Sequence, residues 1–449
     1  IKAELIDASI EFDPKETGNL EWALRGLKVF YQADKQQFFL KTDTLNLPLL
    51  QGKAKLKRSE VSHLTHLAAP PVNGKVKLRV LVDRGSIELF ANDGAAVATH
   101  FALPDPENRS ITLSGNGSVS LVINELKSSW HNEFHASEKL HHDASTMALS
   151  RHEKESAVSA SYLLLPIQNK GKKGQKGKMT LCIDGKVVLD YDLVLASGPE
   201  RTDWYAFFSI ERFKGKRAKV AVSLATDEGF ALVKQSDAIP GEESFYKESL
   251  RPQFHFTSKT GWLNDPNGLI YYKGEYHMYY QHNPVGLPWG NMTWGHAVSR
   301  DLVHWKDQPK VLFPDANGSC FSGAAFIDQK NQLGKKTGED DVIVAFYLRT
   351  EIGLCLAYSN DRGQTFTDYE KNPVLNNEGA RIDTPRPFWY EPTKRWIAPT
   401  YDHFKDKNGK KLRAVGFYSS ENLKDWKFES RVEQDKWGDE LCGCVDFFQ

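Results

Sequence analysis

The chain has 449 residues, 58 basic and 58 acidic, and a formal net charge of zero. That length suits two to four domains; there is no basic excess to argue for nucleic acid and no long acidic block to argue for a tail. Aromatic residues make up 12% of the chain, a content found in carbohydrate-binding surfaces and in large β-sandwich cores, and no apolar run is long enough to span a bilayer.

Residues 1–130 read as short strands separated by turns. The stretches 76–82, 86–90 and 119–123 alternate apolar and polar residues, and Asn92-Asp93-Gly94 and Gly115-Asn116-Gly117 are hairpin signals. The expectation is a β-sandwich. Residues 131–155, rich in His, Glu, Lys and Ser, read as a linker. His131, His135, His141, His142 and His152 lack Cys or acidic partners at metal-ligand spacing, so a solvated linker is expected rather than a metal site. Residues 156–253 alternate again, at 179–183, 186–191 and 219–223, and predict a second, smaller sandwich. The Gly/Lys-rich stretch 169–178 lacks the Gly-Lys-Ser/Thr ending of a phosphate-binding loop and reads as a hairpin tip.

From residue 254 a repeat sets in. Ser299-Arg300-Asp301-Leu302-Val303-His304-Trp305 recurs as Ser420-Glu421-Asn422-Leu423-Lys424-Asp425-Trp426. Between them lies Ser359-Asn360-Asp361-Arg362-Gly363-Gln364-Thr365-Phe366, so the starts are 60 and 61 residues apart. A period of this size, with an aromatic closing each unit, marks a β-propeller. The predicted class is all-β, about three propeller blades with two β-sandwich domains. Propellers close with four to eight blades, so the rest are expected from a further segment or from another chain, as in a homo-oligomer.

The segment Trp262-Leu263-Asn264-Asp265-Pro266-Asn267-Gly268 carries the clearest chemistry. It puts Asp265 on an expected turn between aromatic walls. An aromatic that stacks on a sugar ring, an amide for hydroxyls and a carboxylate aimed at the anomeric carbon are what attack on a glycoside needs.

These residues carry a resemblance. Residues 254–449 resemble the N-terminal part of the catalytic domain of glycoside hydrolase family 32, which covers invertases, levanases and inulinases. The matching text is the 262–268 segment, then Tyr280-Gln281-His282-Asn283-Pro284, then Trp289-Gly290-Asn291-Met292-Thr293-Trp294-Gly295-His296. Phe321-Ser322-Gly323 and Phe388-Trp389-Tyr390-Glu391-Pro392 follow. Residues 1–130 resemble the family's C-terminal sandwich, best at Val82-Asp83-Arg84-Gly85-Ser86-Ile87-Glu88-Leu89-Phe90-Ala91-Asn92-Asp93-Gly94. Residues 156–253 resemble a small sandwich that precedes the propeller in some bacterial members. The C-terminal sandwich thus comes first, which suggests a piece of a tandem enzyme, a circular permutation that lost two blades, or a misassembled reading frame.

The resemblance implies a five-bladed propeller and a retaining mechanism, with a carboxylate nucleophile and an acid/base carboxyl about 5 Å apart. Asp265 matches the nucleophile. Asn264, Gln281, Trp289, Trp294 and Ser322 match positions lining the sugar pocket. The family's Arg-Asp-Pro motif meets Arg381-Ile382-Asp383-Thr384-Pro385 here. Aligned back from Phe388-Trp389, the Arg and Asp positions hold Asp383 and Thr384; a one-residue slip would instead put Asp383 at the hydroxyl-binding stabiliser position and Arg381 at that of the Arg. In the third motif, Gly443-Cys444-Val445-Asp446, Gly443 stands at the acid/base position. Glu440 is the remaining acid/base candidate, three residues and about 10 Å upstream in an extended strand. Glu88 and Asp93 are expected in turn roles.

The expected function is retaining hydrolysis of terminal or internal β-fructofuranosyl linkages in sucrose, levan or inulin, impaired by the altered motifs. The alternative is a fructan-binding pseudoenzyme without the general acid, and a third reading is a structural protein whose sandwiches hold subunits together. No cofactor or metal is required. Cys182, Cys320, Cys355, Cys442 and Cys444 form no CxxC pair. Asn-x-Ser/Thr triplets begin at Asn108, Asn116, Asn291 and Asn317. The chain begins at Ile1 without a signal peptide, as expected of a processed form, a recombinant product or a fragment, and the substrate class points to a secreted or periplasmic protein.

Overall fold

The structure, a computed structural model, describes residues 3–41, 65–102, 107–129, 150–169, 176–376, 380–383, 385–405, 409–433 and 445. It is all-β, and its contacts divide it into two units. One comprises Ile1–Ser137 and Tyr246–Thr257, the other Glu138–Phe245 and Ser258–Gln449.

The first unit is a sandwich of two five-stranded antiparallel sheets. Strands β1 (Ile6–Phe12), β2 (Leu20–Leu24), β3 (Leu27–Gln32), β4 (Gln37–Lys41), β5 (Thr65–Ala68), β6 (Val76–Val82), β7 (Ser86–Ala91), β8 (Ala96–Phe101), β9 (Ile111–Gly115) and β10 (Val119–Glu125) sort into the orders β10-β1-β6-β7-β8 and β5-β4-β3-β2-β9. Period-two alternation drives this: Ile6, Ala8, Ile10 and Phe12 of β1 are buried while Asp7, Ser9 and Glu11 face out. The inner faces meet in one core around Trp22, Tyr31 and Phe38, with Phe12 edge-on to Tyr31 at 5.1 Å. Asn92 and Asp93 turn the β7–β8 hairpin at φ 47° and 59°, and Asp93 pairs with Lys77 at 2.9 Å.

Residues 246–257 join this unit, which moves the expected boundary at 253/254. The buried carboxylate of Asp83 accepts from the backbone N–H of Gln253 (2.9 Å) and Phe254 (3.3 Å) and from His255 Nδ1 (2.9 Å), while His255 Nε2 reaches Glu88. Such a clamp is made of long-range polar contacts, which leave no periodicity in a sequence.

In the second unit, a small sandwich is built from β11 (Ser150–Ala157), β12 (Tyr162–Ile167), β13 (Gly177–Ile183), β14 (Lys186–Leu193), β15 (Trp204–Ser209), β16 (Arg217–Ala225) and β17 (Lys234–Ser236), in sheets β11-β16-β13-β14 and β15-β12-β17. Two expectations change here. The stretch read as a linker at 131–155 ends in strand β11. Its polar, mostly exposed side chains show no alternation, and backbone pairing with β16 makes the strand. His152 there bonds Ser150 Oγ (2.9 Å) and the Ala225 carbonyl (3.1 Å), whereas His131, His135, His141 and His142 lie outside the described residues. The strands on either side of 169–178, β12 and β13, belong to different sheets and do not pair as the expected hairpin, and residues 170–175 lie outside the described residues.

Three antiparallel sheets follow. The first is β18 (Trp262–Tyr272), β19 (Glu275–Asn283), β20 (Thr293–Ser299) and β21 (Trp305–Leu312). The second is β22 (Cys320–Asp328), β23 (Val342–Arg349), β24 (Gly353–Ser359) and β25 (Thr367–Asp368). The third is β26 (Ala380–Asp383), β28 (Arg395–Lys405), β29 (Lys411–Ser420) and β30 (Lys427–Glu433), with β27 (Phe388–Tyr390) beside β28. The first two are sequential meanders and in the third β26 and β27 both pair with β28, an arrangement that fits propeller blades. Aromatic pairs join successive sheets: Tyr279 to Phe366 at 5.6 Å, Phe346 to Trp426 at 5.1 Å, and Phe326 to Trp396 at 4.7 Å.

The sequence repeat is one capped turn used three times. Ser299 Oγ accepts from the N–H of Leu302 (2.8 Å), and Asp301 Oδ1 from those of Val303 and His304 (2.9 and 2.7 Å). Ser359 with Asp361, and Ser420 with Asn422, cap their turns in the same way. The residue after the Asp or Asn is left-handed each time: Leu302, Arg362 and Leu423 have φ 65°, 58° and 67°. The closing indoles of Trp305 and Trp426 donate to the carbonyls of Leu302 and Leu423 at 3.1 and 2.8 Å.

Candidate active site

Asp265 lies inside β18, where a turn was expected. The register steps from Asn264 opposite Gln281 to Pro266 opposite Tyr280, so Asp265 is the extra residue of a β-bulge. Its φ of 23° is left-handed, a region Asp enters more readily than most residues. Pro266, which has no N–H to give, is tolerated because β18 is the edge strand of its sheet. Two residues on, Gly268 has φ 51°, and a Cβ there would come within 2.8 Å of Tyr279 Cδ2 and 2.9 Å of Ala325 Cβ. The bulge and this close approach lay the first sheet against β22.

From β22, Ser322 Oγ donates to Asp265 Oδ2 at 2.7 Å. Among the described residues the other carboxylate oxygen receives no hydrogen bond, which leaves it a lone-pair face for an electrophile. Ser322 is itself held by the residues before it. Asn264, Gln281 and Trp294 form one cross-strand row over β18, β19 and β20. Gln281 Nε2 donates to the Cys320 carbonyl (3.0 Å), and Trp294 Nε1 to the Phe321 carbonyl (3.1 Å). Two buried donors therefore grip the strand just ahead of the serine that grips the aspartate.

This geometry separates the expected pocket residues. Trp294 is 0% exposed and packs against Tyr279 and Tyr347, so it supports the site from the core and presents no ring face for a ligand. Gln281, 2% exposed, likewise spends its amide N–H on the backbone. Trp289 is 55% exposed, its ring edge-on to Phe321 at 5.7 Å, and offers indole surface. Its loop is organised by Asn283, whose Nδ2 donates to the Pro288 carbonyl (2.9 Å) and whose Oδ1 accepts from Val285 N–H and Asn291 Nδ2 (3.3 and 3.2 Å). Asn264, half-buried, accepts at Oδ1 from Trp262 Nε1 (2.6 Å), which leaves its NH2 as the group to meet an acceptor.

Of the remaining candidates, the backbone of Asp383 ends β26 opposite Tyr401, and its side chain lies outside the described residues. Glu440, Gly443 and Thr384 lie outside them altogether. Glu88 is engaged by His255 and Asp93 by Lys77. Among the described residues no group of three or more His, Cys, Asp or Glu side chains is arranged to hold a metal.

Sequence reasoning missed Trp262 as the partner that orients Asn264. It also missed His282, buried behind the bulge, whose Nδ1 bonds the Trp262 carbonyl at 2.7 Å and anchors the start of β18. Burial, helped by the charge of Lys310, holds the His282 imidazole down to about 3, so it is the neutral tautomer that donates.

An all-β frame carrying a carboxylate on an edge-strand bulge, a hydroxyl donor against it and an exposed indole nearby defines a candidate glycoside-cleaving site. Residues 255–449 match the model of the glycosyl hydrolases family 32 N-terminal domain, and residues 3–129 match that of the glycosyl hydrolases family 32 C terminal. The chain belongs to glycoside hydrolase family 32, with the match to the C-terminal model preceding the match to the N-terminal one.

Among curated relatives, a levanase of Bacillus subtilis is 43% identical over 217 residues, which covers 46% of this chain and 30% of the relative. Invertase 1 of Saccharomyces cerevisiae is 41% identical over 193 residues, covering 40% and 34%. The chain thus spans about a third of the length of these relatives. Among solved structures, the exo-inulinase from Aspergillus awamori matches at 32% identity and a TM-score of 0.36, covering 42% of this chain and 40% of that one.

Proposed function

We propose that this chain carries the nucleophile half of a retaining β-fructosidase that hydrolyses terminal or internal β-fructofuranosyl linkages in sucrose, levan or inulin. The observation that supports it most is the Asp265 carboxylate, fixed on a bulge by one hydrogen bond from Ser322, with its second oxygen free of donors among the described residues. In this reading that oxygen attacks C2 of a fructosyl unit and forms a glycosyl-enzyme, which water then hydrolyses. Ser322 steadies the carboxylate, Trp289 offers a ring face and Asn264 an amide donor to sugar hydroxyls. Asp383 is the proposed hydroxyl-binding stabiliser and Glu440 the proposed acid/base. The names of the relatives, a levanase, an invertase and an exo-inulinase, favour this substrate class. The repeat further supports three blades of a five-bladed propeller, spanning 254–449. The sandwich at 1–130 is proposed as a domain of the family's C-terminal type and the small sandwich at 156–253 as an N-terminal accessory domain, and secretion or a periplasmic location follows from the substrate class.

A second reading is a fructan-binding protein that no longer cleaves, favoured by Gly443 at the position of the family's proton donor. General acid help contributes about 10²–10⁴-fold to a rate, so its loss would leave binding ahead of turnover. Fructose release measured beside fructan affinity separates the two. Release that disappears in Asp265→Ala, with a trapped fructosyl adduct on Asp265 in the parent chain, supports the hydrolase. Affinity without release rejects it in favour of the binding reading.

A further inference from the structure

Within the second unit, the loop 284–292 between β19 and β20 carries Trp289, and it is fastened to the small sandwich on both sides of that indole. Ahead of it, Val285 is buried in the core of the small sandwich, and the Leu287 N–H donates to Asn169 Oδ1 at 3.3 Å. Behind it, the Asn291 carboxamide bonds both backbone groups of Asp192 on β14. Strand β14 is the edge of its sheet, so this side chain stands in for a missing strand neighbour.

The deepest fastening is Tyr191, also on β14. It is buried in the same core, its ring 5.1 Å from that of Phe208, and its hydroxyl lies 2.7 Å from Thr293 Oγ1. Thr293 gives its one hydroxyl hydrogen to the Asn291 carbonyl at 2.9 Å, so Tyr191 is the donor of the buried pair. Burial pushes the phenol well above its usual range and keeps that hydrogen in place. On the other side of the same segment, the Met292 carbonyl accepts the Cys320 N–H at 2.9 Å. Residues 291–293 are thus held between the small sandwich and the start of β22, two residues ahead of Ser322.

We propose that Tyr191 is a positioning residue for sugar binding, its hydroxyl acting through Thr293 and Asn291 to hold the Trp289 ring where a fructosyl chain can stack on it. A loop fastened in advance spares the ordering that a free loop undergoes on binding. The role of Trp289 rests on the fructoside reading above, whereas the fastening stands on the contacts alone. The small sandwich is then part of the binding apparatus, although none of its side chains need touch the sugar.

The test is hydrogen–deuterium exchange and levan binding on the full chain. In Tyr191→Phe, amides 285–293 should exchange about fivefold faster or more. Levan affinity should fall roughly three- to tenfold, the share of one hydrogen bond, and adding Trp289→Ala should cost little more. Val220→Ala trims the same core two strands away from β14 and should leave exchange of 285–293 as in the parent. Unchanged exchange in Tyr191→Phe, or equal acceleration in Val220→Ala, overturns the proposal. A freed loop with parent-like levan affinity, where Trp289→Ala alone weakens binding, overturns it as well. Thr293→Val should reproduce Tyr191→Phe and Thr293→Ser should spare the loop, a pair that decides the matter if Tyr191→Phe does not fold. Exchange is read without sugar, so a freed loop in a chain that binds no levan, or binds it regardless of Trp289→Ala, upholds the fastening and overturns the fructoside role of Trp289 instead.

Discussion

Ser322 Oγ lies 2.7 Å from Asp265 Oδ2, so a residue of β22 donates to the extra residue of a bulge in β18, on the neighbouring sheet. The aspartate is therefore aimed by an inter-sheet contact and not by its own strand. Ser322→Ala removes that donor and leaves the backbone path intact. A hydrogen bond to a charged acceptor contributes about 1.5–3 kcal/mol, so kcat/KM for fructose release should fall roughly 10- to 100-fold with little change in Tm. Unaltered kinetics in this variant would mean that the hydroxyl has no part in orienting the carboxylate.

Gly268→Ala should cost stability as well as activity. The added methyl has to push Tyr279 or Ala325 aside at 2.8–2.9 Å, and the position is left-handed besides. Overpacking of this kind costs about 1–3 kcal/mol. A Tm equal to that of the parent chain in a thermal melt would contradict the close approach of β18 to β22.

Trp289 and Trp294 should respond in opposite ways. Trp294→Phe keeps a ring in the core but strips the donor from the Phe321 carbonyl, at about 1–3 kcal/mol, so Tm should drop. Trp289→Ala removes a half-exposed ring and should raise KM or weaken fructan affinity with Tm nearly constant. The reverse pattern, read by calorimetry and binding side by side, would exchange their assigned roles.

The clamp on residues 253–255 gives the first unit a pH dependence with two edges. The hydrogen bond to Asp83 raises His255 against the opposing effect of burial, with Glu88 adding to the rise. A raised histidine stabilises fully below its unfolded value, near 6.5, and that contribution fades as pH climbs through the folded value. For Asp83, burial pushes upward, yet the bonds from His255, Gln253, Arg84 and Phe254 prevail and the carboxyl ends below its usual range. Its contribution is present above the unfolded value, near 3.9, and is lost as pH falls. His255→Gln should therefore destabilise by about 1–2 kcal/mol between roughly pH 4 and 6.5, with the gap to the parent narrowing at higher pH. Chemical denaturation at pH 5.5 and pH 9 that gives equal gaps refutes the clamp.

What the sequence disclosed follows physical range. The capped turns at Ser299, Ser359 and Ser420 were legible because every partner lies within a few residues, so spacing alone records the hydrogen bonds. The buried faces of β6 and β13 were legible for the same reason, as period-two patterns. Trp294 was not separable from Trp289, because an indole reads identically whether its N–H finds a core carbonyl or its face meets solvent. Strand β11 hid behind polar side chains on an edge, where backbone pairing alone decides. The bulge at Asp265 looked like a turn because Asn-Asp-Pro-Asn-Gly suits both, and only the partner strand distinguishes them.

The carboxamide of Asn291 works on both sides. Nδ2 donates to the Asp192 carbonyl at 2.8 Å and Oδ1 accepts the Asp192 N–H at 2.9 Å, tying the loop that bears Trp289 to the small sandwich. N-linked glycosylation at this residue would take one amide hydrogen and wedge a bulky oligosaccharide into that seam. In a glycosylating host, glycan occupancy at Asn291 and formation of this joint therefore exclude one another, whereas exposed Asn317 carries no such conflict.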